Sequence, residues 1–410
     1  MAPHSSPARF LDLFVHSAGF LALLAIAIFS TRPPLYDEPH RLEVVAVWQQ
    51  HGLSRGFLQE MPHATGPLTP IMQAALAPLT HLRPPGIRLT NVVLLAAIIA
   101  LTAATLRRRE TPAAWENAIA VMALPTTWVV AGLALTEIPA MACAATAIFA
   151  LSALRDDSSN ARLWKMLCTA APGIALAALG RQPFLLLACA LPLAAWNRPA
   201  RWPPFLVAAA LGLVPIAVVF TIWGGATPPS VRWVGAGLAP KHSILAFAYA
   251  GAFTLLFAPC WLMRERRFAW LLVATFLLSM AIGAVEILPM ATVAQRFLSP
   301  PLVVVAKRAI GSLFVALAVW FVVTLGRRAW AERGDGFVVY ASAGVFLLLL
   351  STLKITGNFS SRYVAMTFPM LLPLLAPSRE PGSLSAPCRS FLGNALGLAS
   401  LLSHLGGAAA

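Results

Sequence analysis

Long apolar runs separated by short polar segments make up most of the chain. A helix needs about 20 mainly apolar residues to cross a bilayer, and several of the runs are shorter than that. We predict an all-α integral membrane protein with about twelve membrane-spanning helices. Their approximate ranges are 13–30, 87–106, 114–135, 138–154, 163–180, 183–196, 203–223, 243–263, 268–288, 310–325, 337–353 and 363–376.

The run 66–79 is apolar, but it has only 14 residues and holds three prolines. We interpret it as an interfacial or re-entrant helix within a long first external loop, 31–86. The positive-inside rule supports this choice, because with the N-terminus inside it leaves every basic cluster in the cytoplasm. Counting 66–79 as a span would move all of them outside. The clusters are 107–109, 155–165, 198–201, 264–267 and 327–333.

Composition narrows the class of protein. Of the 410 residues, 59% are hydrophobic and only 11% are charged, which is too apolar for a water-soluble fold. The net charge is +15, but membrane topology explains the short basic clusters, and we expect no nucleic-acid partner. The five cysteines lack Cys-x-x-Cys spacing and predict neither a disulfide framework nor a zinc site. We therefore predict one membrane domain, 1–376, with an uncleaved first span, followed by a cytoplasmic tail, 377–410.

Charged residues gather at the predicted external ends of the apolar runs, whereas the interiors of the runs are almost free of charge. Ionisable groups placed where spans end around a shared cavity are costly and often functional. The distribution favours a binding or catalytic site at the external membrane surface. The residues are Asp37, Glu38, Glu137, Arg181, Arg296, Lys307, Arg308, Lys354 and Arg362.

The segment YDEPH, from Tyr36 to His40, places two adjacent carboxylates directly after the first predicted span. Asp37 suits a helix N-cap and Glu38 suits a first helical turn, so both residues could simply begin a helix. Alternatively, a carboxylate beside a bound hydroxyl acts as a general base while that hydroxyl attacks the anomeric carbon of a sugar. The residues alone leave both interpretations open.

Glu137 follows Thr136 in a tight external turn between two apolar runs. It would either support the start of a helix or serve as a second acid that faces the same cavity as Asp37. The pattern does not decide between these roles.

Arginines occupy two other external turns. Arg181, followed by Gln182, and Arg362 would either extend to the lipid headgroups or bind a phosphate with their forked donors. Together with Lys307 and Arg308 they favour an anionic, lipid-linked ligand.

Histidines are concentrated in the first loop. Their spacing matches no known metal-ligand pattern, and we expect neither a metal ion nor a cofactor. They are His40, His51, His63 and His81.

Short motifs in a fixed order along most of the chain resemble the GT-C class of multi-span glycosyltransferases, and most of all the dolichyl-phosphate-glucose-dependent alpha-1,2-glucosyltransferase family. The resemblance implies a GT-C-like fold and an enzyme that uses a polyprenyl-phosphate sugar without a metal. The motifs are Tyr36-Asp37-Glu38, Thr65 with Pro67, Arg88-Leu89-Thr90-Asn91, Thr136-Glu137, Arg181-Gln182, and Arg362-Tyr363 before Pro369.

The same resemblance implies roles for individual residues. Asp37 would be the general base, Glu38 its neighbour in the acceptor cavity, and Glu137 a second cavity acid. The donor phosphate would lie against Arg181, Gln182, Arg362, Lys307 and Arg308. The acceptor or the sugar would contact His63, Thr65 and Tyr363.

The functional hypothesis is an inverting hexosyltransferase in the membrane. It would move a sugar, with glucose suggested by the resemblance, from a polyprenyl-phosphate donor to a hydroxyl of an extracytoplasmic glycan, lipid or protein. The compact chain rich in alanine and proline is typical of bacteria, so we expect the inner membrane and an active site that faces the periplasm or exterior. The alternatives are a transporter or lipid flippase, whose polar groups usually lie near the bilayer midplane, and a non-catalytic protein that binds lipid-linked glycans.

Overall fold

A computed structural model describes residues 7–154, 159–232, 237–283, 285, 287, 295–355, 357–380 and 383–406. All of the regular secondary structure in this part of the chain is helical, and none of it is β-strand. The helices are α1 (Pro7–Phe29), α2 (Glu38–His51), α3 (Arg55–Glu60), α4 (Leu68–Ala75), α5 (Ala77–Thr80), α6 (Gly86–Arg108), α7 (Ala114–Ile119), α8 (Pro125–Gly132), α9 (Glu137–Leu151), α10 (Asn160–Gly180), α11 (Leu185–Ala190), α12 (Trp202–Trp223), α13 (Pro240–Phe257), α14 (Arg266–Ile282), α15 (Pro300–Ala331), α16 (Gly336–Ser351), α17 (Arg362–Ala365), α18 (Phe368–Leu375) and α19 (Ser385–Gly406).

The all-α membrane class predicted from the sequence is confirmed. Among the described residues, six helices are long and apolar enough to cross a membrane, or seven if the bent pair α8 and α9 counts as one span. Several other predicted spans consist of shorter pieces, such as the apolar stretches Gln182–Ala195 and Phe368–Ser378. Prolines account for these breaks, because each proline removes a backbone N–H donor and clashes with the preceding turn.

The first loop lies across one end of the bundle. Its helices α2 to α5 have 14, 6, 8 and 4 residues, which is too short to cross a bilayer, as predicted for 66–79. Gly66 packs against the carbonyl of Leu179, where an added Cβ would lie 1.9 Å from the oxygen. This close approach fixes the loop against the C-terminal end of α10, next to Arg181.

The break between α8 and α9 is the feature of the bundle that positions the site. The two helix axes differ in direction by 113°. The chain leaves α8 at Gly132 in extended conformation and begins α9 at Glu137. A buried acid therefore lies at the N-terminus of a helix, where the helix dipole favours negative charge.

The segment after residue 377, predicted as a cytoplasmic tail, contains a further long helix. Ser385–Gly406 forms α19, a 22-residue helix that packs along α1 and α8. Gly397 lies against the ring of Trp128, where an added Cβ would be 2.1 Å from a ring carbon. Near the other end of α19, Ser390 donates to Asp12 on α1 at 2.5 Å. The sequence understated this helix because its packing surface consists of small and polar residues rather than a long apolar run.

Candidate active site

The turn that begins α2 directs Asp37 toward other charged side chains. Tyr36 adopts a left-handed backbone conformation with φ of 57°, and α2 begins two residues later. The carboxylate of Asp37 forms an ion pair with Arg362 and lies 3.5 Å from Arg41, one helical turn along α2. Its side chain is 24% exposed, so solvent and a ligand can reach it.

Glu38 lies in a different environment. Its carboxylate is fully buried and accepts four hydrogen bonds: from Arg88 Nε at 2.9 Å, Arg88 Nη2 at 2.6 Å, and the amides of Leu35 and Ala134, both at 2.8 Å. These donors occupy both oxygens. The expectation that Glu38 lines an acceptor cavity is therefore corrected: it joins the start of α2 to α6 and to the break after α8.

Glu137 is brought to the same cluster as Asp37. It is fully buried, and one of its oxygens lies 2.9 Å from Arg181 Nη2 and 3.6 Å from Arg362 Nε. Neither oxygen has a hydrogen-bond partner of good geometry among the described residues. Thr136 precedes α9 but makes no capping hydrogen bond with its side chain.

Three guanidinium groups thus share two carboxylates at one end of the bundle. Arg41, Arg181 and Arg362 are largely buried, and the Nε atom of each lacks a hydrogen-bond partner among the described residues. Buried polar atoms in proteins are nearly always hydrogen-bonded, so three unsatisfied Nε donors in one cluster are unusual and mark it as a candidate site. The cluster carries one excess positive charge, which favours an anion.

Two tyrosine rings border the cluster. Arg362 lies over Tyr36 and Tyr363, 5.4 Å from each ring centroid, and Arg181 lies 5.8 Å from the centroid of Tyr363. Flat aromatic faces hold guanidinium groups by cation–π attraction and keep their donor edges available. Tyr363, predicted as a contact of the acceptor or sugar, lies where such contact is feasible.

The local charges alter the protonation of Asp37 and Arg41. Burial raises the pKa of Asp37, but the nearby Arg362 guanidinium outweighs it, so the pKa lies below the usual value. Burial, reinforced by the charge of Arg181, lowers the pKa of Arg41 to about 10. At neutral pH the carboxylate and the guanidinium are both charged.

An aromatic cavity of about 420 Å³ adjoins this cluster, between α13, the segment 357–361 and α19. Phe359 in its wall lies 6.3 Å from Tyr363, and His404 lies 5.2 Å from Tyr36, measured between ring centroids. The two tyrosines thus lie between the charged cluster and this cavity, whose wall holds both aromatic and polar side chains. Other lining residues are Lys241, His242, Leu245 and Tyr249.

Two further predicted residues adjoin the cluster through the first loop. Gln182 donates to the carbonyl of Ala64 at 3.3 Å, and Thr65 is buried with no partner for its hydroxyl among the described residues. His63 instead contacts Glu43, with 2.8 Å between Nε2 and the carboxylate. These contacts tie the loop to the turn that carries Arg181.

Not every predicted residue reaches the cluster. Lys307 and Arg308 lie on α15, and Arg308 is beside Gly283 at the end of α14 rather than among the other arginines. The sequence reasoning missed Arg41. The signal that could have found it is its spacing of four residues from Asp37 on a helix, which places both on one face.

Comparisons with known proteins give likenesses of fold only. No protein-family model and no curated protein matches the chain. ArnT from Cupriavidus metallidurans bound to undecaprenyl phosphate is 14% identical with a TM-score of 0.49, over 96% of this chain and 77% of that chain. The same protein in the apo state gives 14% and 0.46 over the same shares.

The S. cerevisiae protein O-mannosyltransferase Pmt1-Pmt2 complex bound to the sugar donor is 16% identical with a TM-score of 0.39. The likeness covers 52% of this chain and 33% of that chain, so the chain spans only a third of that protein's length. At these identities and TM-scores, none of the likenesses establishes a family or an activity. They also do not single out the glucosyltransferase family that the sequence motifs resemble.

Proposed function

We propose that the protein is a membrane-embedded inverting glycosyltransferase that uses a polyprenyl-phosphate sugar. The observation that carries the proposal is the convergence of Asp37 with three buried guanidinium groups beside an aromatic cavity. A carboxylate next to an anion-binding cluster suits a reaction in which a base activates a hydroxyl and a phosphate departs. The ordered sequence motifs favour the same chemistry.

The donor phosphate lies on the three arginines in this proposal. Arg181 and Arg362 present forked N–H donors that match phosphate oxygens, and Arg41 adds a third positive charge from α2. Glu137 holds Arg181 and Arg362 in place rather than reacting. The polyprenyl chain enters the aromatic cavity lined by Tyr249 and Phe359.

The chemical step is a single displacement. Asp37 removes the proton of an acceptor hydroxyl as its oxygen forms a bond to the anomeric carbon, and the bond from that carbon to the phosphate oxygen breaks. The configuration inverts, and the polyprenyl phosphate leaves as an anion that the arginines stabilise. Because Arg362 forms an ion pair with Asp37, a phosphate that binds Arg362 weakens that pair and increases the basicity of Asp37.

The finer assignments are part of the same proposal. The sugar is a hexose, with glucose favoured by the motif resemblance, and the acceptor is a hydroxyl of a glycan, lipid or protein. The site faces the periplasm or exterior of a bacterial inner membrane. The reason is the positive-inside rule, which favours a cytoplasmic position for the basic clusters between spans and so leaves the ends that carry the site residues outside.

The test is release of polyprenyl phosphate by the purified protein. A small panel of synthetic polyprenyl-phosphate hexoses and pentoses is supplied with envelope extract as acceptor, and an active glycosyltransferase serves as a positive control. We expect release from one hexose donor. Release from none of them, with the control active, would contradict the proposal and favour a transporter or flippase, for which the bent pair α8 and α9 is a known kind of feature.

Arg181→Met is expected to weaken binding of polyprenyl phosphate by about 10–100-fold, since a hydrogen bond to a charged group contributes about 1.5–3 kcal/mol. Arg181→Lys keeps the charge but loses the fork, so its affinity should lie between those of Arg181→Met and the wild type. Isothermal titration in detergent measures both. Arg232→Met, in an exposed external loop, is the matched control and should bind as the wild type does. Equal affinity for Arg181→Met and wild type would remove Arg181 from the phosphate site.

The pH profile of kcat/KM is expected to report Asp37. The base works as a carboxylate, so activity persists above its pKa and is lost as the pH falls through it. Because the Arg362 guanidinium holds that pKa below its usual value, the acid limb should lie at lower pH than an ordinary aspartate would give. Arg41→Met removes a positive neighbour, which raises the pKa of Asp37 and moves the limb to higher pH. A limb that stays in place in Arg41→Met would indicate that another group titrates.

A further inference from the structure

Two of the four first-loop histidines meet a carboxylate on the surface of α2. His40 and Glu43 lie one helical turn apart, with His40 Nδ1 3.7 Å from Glu43 Oε2. His63, from the segment after α3, places Nε2 2.8 Å from the same oxygen. The two imidazole ring centroids are 4.4 Å apart. All three possible ligand atoms lie within 4.8 Å of one another.

We propose that His40, Glu43 and His63 form a binding site for a divalent metal ion, with Zn²⁺ as the preferred ion. Imidazole nitrogens and a carboxylate oxygen are ligands that Zn²⁺ favours. Ligand atoms around a tetrahedral Zn²⁺ lie roughly 3.3 Å apart when each bond is about 2.0–2.1 Å. The separations of 2.8 and 3.7 Å lie on either side of this value, so small rotations of exposed side chains complete the geometry.

Accessibility supports the inference. The side chains of His40, Glu43 and His63 are 51%, 55% and 25% exposed, so an ion can enter from solvent. Three protein ligands leave one tetrahedral position for water or a ligand oxygen. Both imidazoles approach the same carboxylate oxygen. A cation bound between the three groups would stabilise this arrangement, whereas a hydrogen-bonded histidine–carboxylate pair requires only one imidazole.

A histidine–carboxylate pair without a third ligand lies at the other end of α2. His51 Nε2 lies 3.0 Å from Glu60, and among the described residues no third metal-ligating side chain joins them. His51 is thus on the same helix, has the same side-chain chemistry and contacts a carboxylate, but belongs to no three-ligand group. It is the matched control for the proposed site.

The bound ion has a structural consequence. It joins α2, one turn after Asp37, to the segment that carries Ala64, whose carbonyl accepts from Gln182. The metal therefore fixes the first loop over the side of the cluster that contains Asp37. This inference is independent of the proposed glycosyltransferase activity, because metal binding is measured without turnover.

The experiment is a competition titration with a chromophoric zinc chelator. Full-length protein, purified through a tag free of histidine and stripped with EDTA, is compared with His63→Ala, Glu43→Gln and His51→Ala. We expect one Zn²⁺ per wild-type chain, at least about tenfold weaker binding in the two ligand variants, and wild-type affinity in His51→Ala.

A second measurement separates loss of the metal from loss of the fold. Zn²⁺ should raise the melting temperature of the wild type and of His51→Ala but not of Glu43→Gln, because only a ligand that binds the folded state stabilises it. Glu43 is exposed, so Glu43→Gln should fold and elute as the wild type does. Wild-type zinc affinity no higher than that of His63→Ala, or an equal loss in His51→Ala, would overturn the proposal and reduce the group to a hydrogen bond between His63 and Glu43 with His40 beside it.

Discussion

Asp37→Asn is expected to lower the turnover of polyprenyl-phosphate sugar by about 10²–10⁴-fold while leaving donor binding intact. Asparagine keeps the size of the side chain but cannot accept a proton from the acceptor hydroxyl. The substitution also removes a negative charge that lies against Arg362 and near Arg41, so the cluster becomes more positive. The affinity for polyprenyl phosphate should therefore be equal to or higher than that of the wild type.

A fall in kcat without a fall in donor affinity distinguishes a base from a structural partner of Arg362. Single-turnover release of polyprenyl phosphate measures the chemical step, and titration with polyprenyl phosphate measures binding. Glu60→Gln, in the same loop with a 60% exposed side chain, is the control and should leave both quantities unchanged. Normal turnover in Asp37→Asn would mean that Asp37 only balances the charge of Arg362.

Glu38→Gln is expected to impair folding rather than chemistry. The carboxylate is buried and receives four hydrogen bonds from donors, and an amide would direct its own N–H group at some of them. The change also leaves the fully buried Arg88 without its counter-charge. Removing one member of a buried ion pair costs about 3–5 kcal/mol. Thermal unfolding in detergent should show a markedly lower melting temperature than in wild type.

The partner substitution tests the physical reason. Arg88→Met leaves the Glu38 carboxylate buried without its counter-ion, although the amides of Leu35 and Ala134 still reach it. The double variant Glu38→Gln with Arg88→Met removes both charges, so it should be less destabilised than the sum of the single variants. Additive effects would show that the two side chains act independently. A wild-type melting temperature in Glu38→Gln would show that the pair is dispensable.

The sequence located most of the cluster because its signals are local. Asp37, Glu137, Arg181 and Arg362 each lie where an apolar run begins or ends, and an ionisable group at such a position is conspicuous against a charge-poor background. The convergence of these four residues was an expectation from topology, and the structure brings them together. Lys307 and Arg308 carried a similar signal, but a position at the end of a span does not determine which other helices lie beside it.

The sequence did not distinguish the roles of the two adjacent carboxylates. Consecutive residues at a helix start point about 100° apart. The left-handed turn at Tyr36 and the partners from distant parts of the chain decide which of them faces the cluster. Arg88, which forms an ion pair with Glu38, is 50 residues away from it, and Arg362, which forms an ion pair with Asp37, is 325 residues away. Pairings over such separations depend on packing that no local pattern records.

By itself the sequence determined the all-α membrane class, the short helices of the first loop and most of the charged residues of the site. Hydrophobicity, helix length and proline content act over one or two turns, so they can be read along the chain. Only the tertiary structure decided the membership of Arg41, the meeting of His63 with Glu43, and the packing of α19 on α1. Each of these depends on which helix faces come together, because burial and ion pairing are set by neighbours distant in sequence.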